Sequence, residues 1–153
     1  MFPITPEEDG VTHINVYTKG KTGLGRGLSN LSSVSFTIPG VGSFRSMEAY
    51  WYWVKTGKQF GHLMKMSGFE AKQEGKQLPT IKSPTFEDDI LDGHLWRLKC
   101  SPMLTHCLST CRLPLVHYYN YGSKVIVPQS GDFQMDYLNY IRRRLNVNPT
   151  YLN

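Results

Sequence analysis

The segment S-M-E-A-Y-W-Y-W-V-K-T-G, from Ser46 to Gly57, constrains the fold more than any other part of the chain. It reads as a helix: Ser46 supplies an N-cap oxygen, Glu48 places an acid in the first turn, and Gly57 stops the run. At helical spacing Glu48, Trp51, Tyr52 and Lys55 fall on one stripe, with Met47, Tyr50 and Val54 on the neighbouring one. A carboxylate and an ammonium flanked by large rings is an arrangement that stacks on a planar base and moves protons beside it, because low solvent exposure shifts both groups' pKa values. The structural alternative is a core helix in which Tyr50, Trp51 and Trp53 are buried and Glu48 and Lys55 are solvated ends that favour the dipole.

Around this helix the pattern is mixed. Thr12 to Tyr17 alternates with Ile14 and Val16 on one face, which predicts a strand, and the glycine-rich stretch Gly20 to Gly27 predicts a flexible loop after it. Val34 to Ile38 is a second strand, turned by Pro39-Gly40. Residues 60–78 suit one or two short helices broken at Ser67-Gly68. A longer helix begins near Thr85 and runs to Cys100, and Ser101-Pro102 caps another. L-V-H-Y-Y and Lys124 to Val127 read as short strands. Asp132 to Leu145 reads as a last helix with Phe133, Leu138, Ile141 and Leu145 near one face and Arg142, Arg143 and Arg144 closing it. The expectation is an α+β domain, mostly helical with a small β-sheet. Its core spans about residues 13–145, and both ends are frayed.

Length and composition narrow the class. The chain has 153 residues, 40% hydrophobic and 19% charged, which fits one globular domain and leaves little room for disorder or a fibrous repeat. No apolar run approaches the ~18–20 residues of a membrane span, and M-F-P-I-T-P-E-E-D-G carries neither a basic nor an apolar leader region, so the expected location is cytoplasmic, with no membrane partner. Three cysteines, at 100, 107 and 111, do not suit a disulfide framework. The net charge of +5 favours phosphate-bearing partners without choosing among them.

Several motifs of the chain, taken together and in order, resemble the NADAR (YbiA-like) family. I-N-V-Y at Ile14 to Tyr17 is similar to its I-N-F-Y. L-S-N-L at Leu28 to Leu31 follows a glycine-rich loop and resembles its L/F-S-N-F, and Glu48 to Lys55 resembles its E-H-Y-Y/F-Q-x-x-K helix. F-E-A-K-Q-E-G-K at Phe69 to Lys76 looks like its A-K-x-x-G-R element, and Y-L-N-Y-I-R-R-R-L resembles its closing helix. The resemblance covers roughly residues 13–145.

It implies a NADAR-like fold and cleavage of an N-glycosidic bond, between ribose and a nucleobase or base-like amine, in a ribosylated nucleotide or an ADP-ribosylated base. Such a reaction passes through an oxocarbenium-like state that needs a carboxylate and a proton donor for the leaving base. By this resemblance Glu48 is the carboxylate. Lys55 holds a phosphate or ribose oxygen or forms a Schiff base, and Asn30 bonds a ribose hydroxyl or base edge. Arg26, in the loop before Asn30, approaches a phosphate, while Trp51, Tyr52, Tyr118 and Tyr121 offer stacking surfaces. No metal or other cofactor is expected. The partner is a ribosylated or ADP-ribose-like small molecule, with nucleic acid as a possible carrier of the base.

The departures from the family are specific. Its D-x-x-W-G and G-x-N-x-L-G elements have only Tyr118, Tyr121-Gly122 and Asp132 as nearest counterparts, with Met135 where the second glycine falls, and Ala49 replaces the histidine after the glutamate. They open a second expectation, a catalytically degenerate module that binds or sequesters ADP-ribose-like or cyclic nucleotides. A small basic nucleic-acid-binding protein, with Arg142, Arg143 and Arg144 on the backbone, is a third. His94, Cys100, His106, Cys107 and Cys111 match no paired metal-ligand spacing. Tyr118, Tyr119 and Tyr121, with His117, make an aromatic strand that suits either a base-pocket wall or an ordinary half-buried sheet.

Overall fold

In the computed structural model, which describes residues 4–128 and 132–153, the elements run in the order β1 (Ile14–Asn15), α1 (Gly23–Leu28), β2 (Phe36–Ile38), β3 (Gly42–Phe44), α2 (Met47–Lys55), α3 (Gly68–Gly75), α4 (Phe86–Cys100), α5 (Pro102–Thr110), β4 (Leu115–Val116), β5 (Tyr119–Tyr121), β6 (Lys124–Ile126) and α6 (Asp132–Val147). Single 3-10 turns lie at Pro6–Glu8 and Gly61–Lys65. The architecture is mixed α+β, with strands only in two-stranded pairs among the described residues. No helix among the described residues is long and apolar enough to cross a membrane. The chain divides into two compact units, Asn30–Thr105 and a second made of Met1–Ser29 with His106–Asn153.

In the unit that carries both ends of the chain, β1 pairs in parallel with β4, Ile14 opposite Leu115 and Asn15 opposite Val116. His13, Ile14, Asn15 and Val16 are all buried, so this strand is enclosed on both faces and does not alternate. The Asn15 amide donates to the Tyr118 carbonyl (3.1 Å) and accepts from the Tyr118 N–H (3.1 Å), continuing the pairing beyond the strand's end. Ahead of β1, the buried Asp9 carboxylate accepts from the backbone N–H groups of Asn15 (2.9 Å) and Lys21 (2.8 Å).

The glycine-rich stretch expected as a flexible loop is a helix over most of its length. Thr22 caps α1 by accepting from the Gly25 N–H at 2.9 Å. A Cβ at Gly25 would come within 2.2 Å of the Asn15 carbonyl oxygen. Glycine here therefore permits a close helix–strand approach and does not signal mobility. Leu138, Ile141 and Leu145 of α6 are buried as the periodicity predicts, and Asn139 brackets Leu115, accepting from its N–H (2.8 Å) and donating to its carbonyl (2.9 Å).

The Asn30–Thr105 unit is built around α2. The β2–β3 hairpin places Phe36, Ile38 and Phe44 inward and Thr37 outward. Phe44 meets the Tyr50 and Trp53 rings edge-on at 4.9 and 5.2 Å. Ser46 caps α2 through the Ala49 N–H (3.1 Å), and Gly57 turns the chain away at φ +91°. The break expected at Ser67-Gly68 is a capping box: the Ser67 hydroxyl accepts from the Glu70 N–H while the Glu70 carboxylate accepts from the Ser67 N–H. Ile90 and Leu98 of α4 are buried, together with His94 and Arg97, and burial lowers the Arg97 guanidinium to about 10.

Candidate functional site

The chemistry gathers at the junction of α2 with α3. Two close contacts seat α3. A Cβ at Gly68 would fall 2.6 Å from the Leu31 backbone, and one at Gly75 would fall 2.2 to 2.7 Å from the Tyr52 side chain, so each glycine lets its neighbour approach. At the start of α2 the Glu48 N–H donates to the Asn30 carbonyl at 2.8 Å, which ties the L-S-N-L segment to the helix.

Glu48 is partly buried. Burial pushes its carboxyl from the ordinary 4.5 up to about 7, against the opposing pull of the Lys72, Lys55 and Lys76 ammonium groups. A carboxyl with its midpoint near neutrality is populated in both protonation states there, which is what a group that both gives and takes protons requires. Tyr52 is buried one turn along; burial and then the Glu48 charge raise its phenol. The Lys55 ammonium lies 5.5 Å from the Tyr52 ring centroid.

Of the residues singled out in sequence, the structure brings Glu48, Tyr52 and Lys55 together with the backbone of Asn30. The Trp51 ring meets Phe86 edge-on at 5.0 Å. The other named residues belong to the second unit. There the exposed Arg26 donates to the Gly20 carbonyl (2.9 Å), and Tyr118 is fully buried with its hydroxyl 2.7 Å from His13 Nε2. Tyr121 is exposed and stacks on Tyr119 at 6.0 Å. Asp132 opens α6, and its side chain lies outside the described residues.

Lys72 and Lys76 are the residues that reading the sequence passed over. Both stand in the A-K-Q-E-G-K run, three before and one after Gly75, so the motif held the signal, but nothing local shows that α3 turns these positions toward α2. Among the described residues no three His, Cys, Asp or Glu side chains cluster as a metal set. Cys100 lies against the Thr37 backbone and His94 against Arg97. No protein-family model matches the chain, and neither the curated proteins nor the solved structures contain a match to it.

Proposed function

We propose that this protein is an N-glycosidase of NADAR type, hydrolysing the bond between ribose and a nucleobase or base-like amine in a ribosylated nucleotide or ADP-ribosylated base. The observation that carries the reading is the partly buried Glu48, raised to about 7 amid three ammonium groups and a buried phenol. In the reaction the C1′–N bond breaks with its electron pair leaving on the base nitrogen, and water adds to C1′. Deprotonated, Glu48 stabilises the positive charge that develops on the ribose and takes a proton from the attacking water; protonated, it supplies one to the departing base. Tyr52 offers its ring edge and hydroxyl, and Lys55 holds a sugar or phosphate oxygen.

Incubation with ribosylated pyrimidine nucleotides and ADP-ribosylated guanine, followed by mass spectrometry, tests this. The wild type releases free base, and Glu48→Gln loses about 100-fold or more of the rate. No release by the wild type, or equal release by the variant, overturns the proposal.

One observation favours binding without turnover. Ala49, at the position of the family's histidine, is fully buried and offers no polar side-chain atom beside Glu48. On that reading calorimetry with ADP-ribose gives saturable heat and the ligand is recovered intact after denaturation; free base in the recovered sample contradicts it.

A further inference from the structure

The geometry points to Tyr52 and Gly75 as positioning residues: their contact sets how closely α3 approaches α2, and so how near Lys72 and Lys76 come to Glu48. This deepens the N-glycosidase reading and rests on it.

Glu48 and Tyr52 are one turn apart on α2, on the side that α3 covers. The ring of Tyr52 lies directly against Gly75, where a Cβ would reach the Cδ1, Cγ and Cβ atoms at 2.2, 2.3 and 2.7 Å. Those are atoms at the root of a buried side chain that cannot swing aside, so a larger residue at 75 has to move the helix. Lys72 and Lys76 flank Gly75 in sequence, one on α3 and the other its C-cap, and any outward shift at 75 carries them with it. Gly68 fixes the other end of α3 on the Leu31 backbone, which leaves the Gly75 end to set the spacing of the lysines.

The charged groups acting on Glu48 are Lys72 from α3, Lys55 from its own helix and Lys76 from the C-cap of α3. The α4 carboxylates Asp89 and Asp92 act on Tyr50, which points to a different side of α2.

A double-mutant cycle read by carboxyl NMR of Glu48 in the full chain isolates the effect. Lys72→Met in the wild type raises the Glu48 midpoint by about half a unit or more, because an ammonium that favours the charged form is gone. In a Gly75→Ala background the same substitution produces less than about half that rise. Equal rises in the two backgrounds, or no rise in the wild type, overturn the inference. Tyr52→Leu removes the other side of the same contact and carries the same expectation where Gly75→Ala does not fold. The wild type also supplies a reading without substitution: a cross-relaxation peak between the Tyr52 ring protons and Gly75 Hα, whose absence is equally fatal. The titration reads Glu48 whether or not base is released. A protein without turnover leaves this result standing, and equal rises leave the turnover proposal standing.

Discussion

A carboxyl that titrates near 7 in the folded chain and near 4.5 in the unfolded one binds more protons when folded over the interval between. Stability linked to Glu48 is therefore fully present below pH 4.5, declines as the pH rises through that window, and is gone above about 7. Glu48→Gln removes the ionisation and keeps the shape. Urea unfolding across a pH series is expected to find the variant more stable than the wild type by about 1–3 kcal/mol at pH 8, with the gap closing toward pH 4. A variant that is less stable at pH 8, or a gap independent of pH, contradicts the assignment. A residue whose neutral replacement strengthens the fold is kept for something other than stability. At this scale the sequence named Glu48 and Lys55 from their stripe on a capped helix. It missed Lys72 and Lys76 because their role depends on a helix–helix approach made possible by Gly75.

At the scale of elements, helices with a local start signal were readable. Ser46 before α2 and Ser101-Pro102 before α5 stand where sequence placed them, because a cap is a matter of three or four neighbouring residues, whereas the break expected at Ser67-Gly68 is the capped start of α3. The failure at α1 has a physical reason. Glycine lowers helix propensity, but Thr22 caps the segment and the backbone of Asn15 lies against it.

The glycines of α1 consequently divide by environment. A methyl group added at Gly23 would meet no heavy atom nearer than 3.9 Å, whereas one at Gly25 would meet the Asn15 oxygen at 2.2 Å. Gly23→Ala is expected to stabilise the chain by up to about 1 kcal/mol. Gly25→Ala is expected to destabilise it by about 1–3 kcal/mol, both read from thermal unfolding. Equal effects of the two substitutions would show that α1 does not pack on β1 as described.

Across the whole molecule, the pairings that join distant segments were the least legible, since they leave no periodic trace. Asn15 and Tyr118 are bonded through both amide atoms at a separation of 103 residues. Nothing in I-N-V-Y announces an amide that completes a parallel pairing with L-V-H-Y. The same non-local closure splits the expected L-V-H-Y-Y strand into β4 and β5, with Tyr118 buried between them. Asn15→Ala leaves a buried N–H and a buried carbonyl of Tyr118 without the amide, and is expected to lower stability by about 1–3 kcal/mol. A change within about 0.5 kcal/mol, typical of a surface site, contradicts that role.

The carboxyl resonance of Glu48 in the unmodified protein measures most directly its burial against the pull of Lys72, Lys55 and Lys76. Its titration midpoint is expected at about 7, with the signal shifting through the neutral range. A midpoint at the ordinary 4.5 would mean an open, solvated carboxylate and would contradict it.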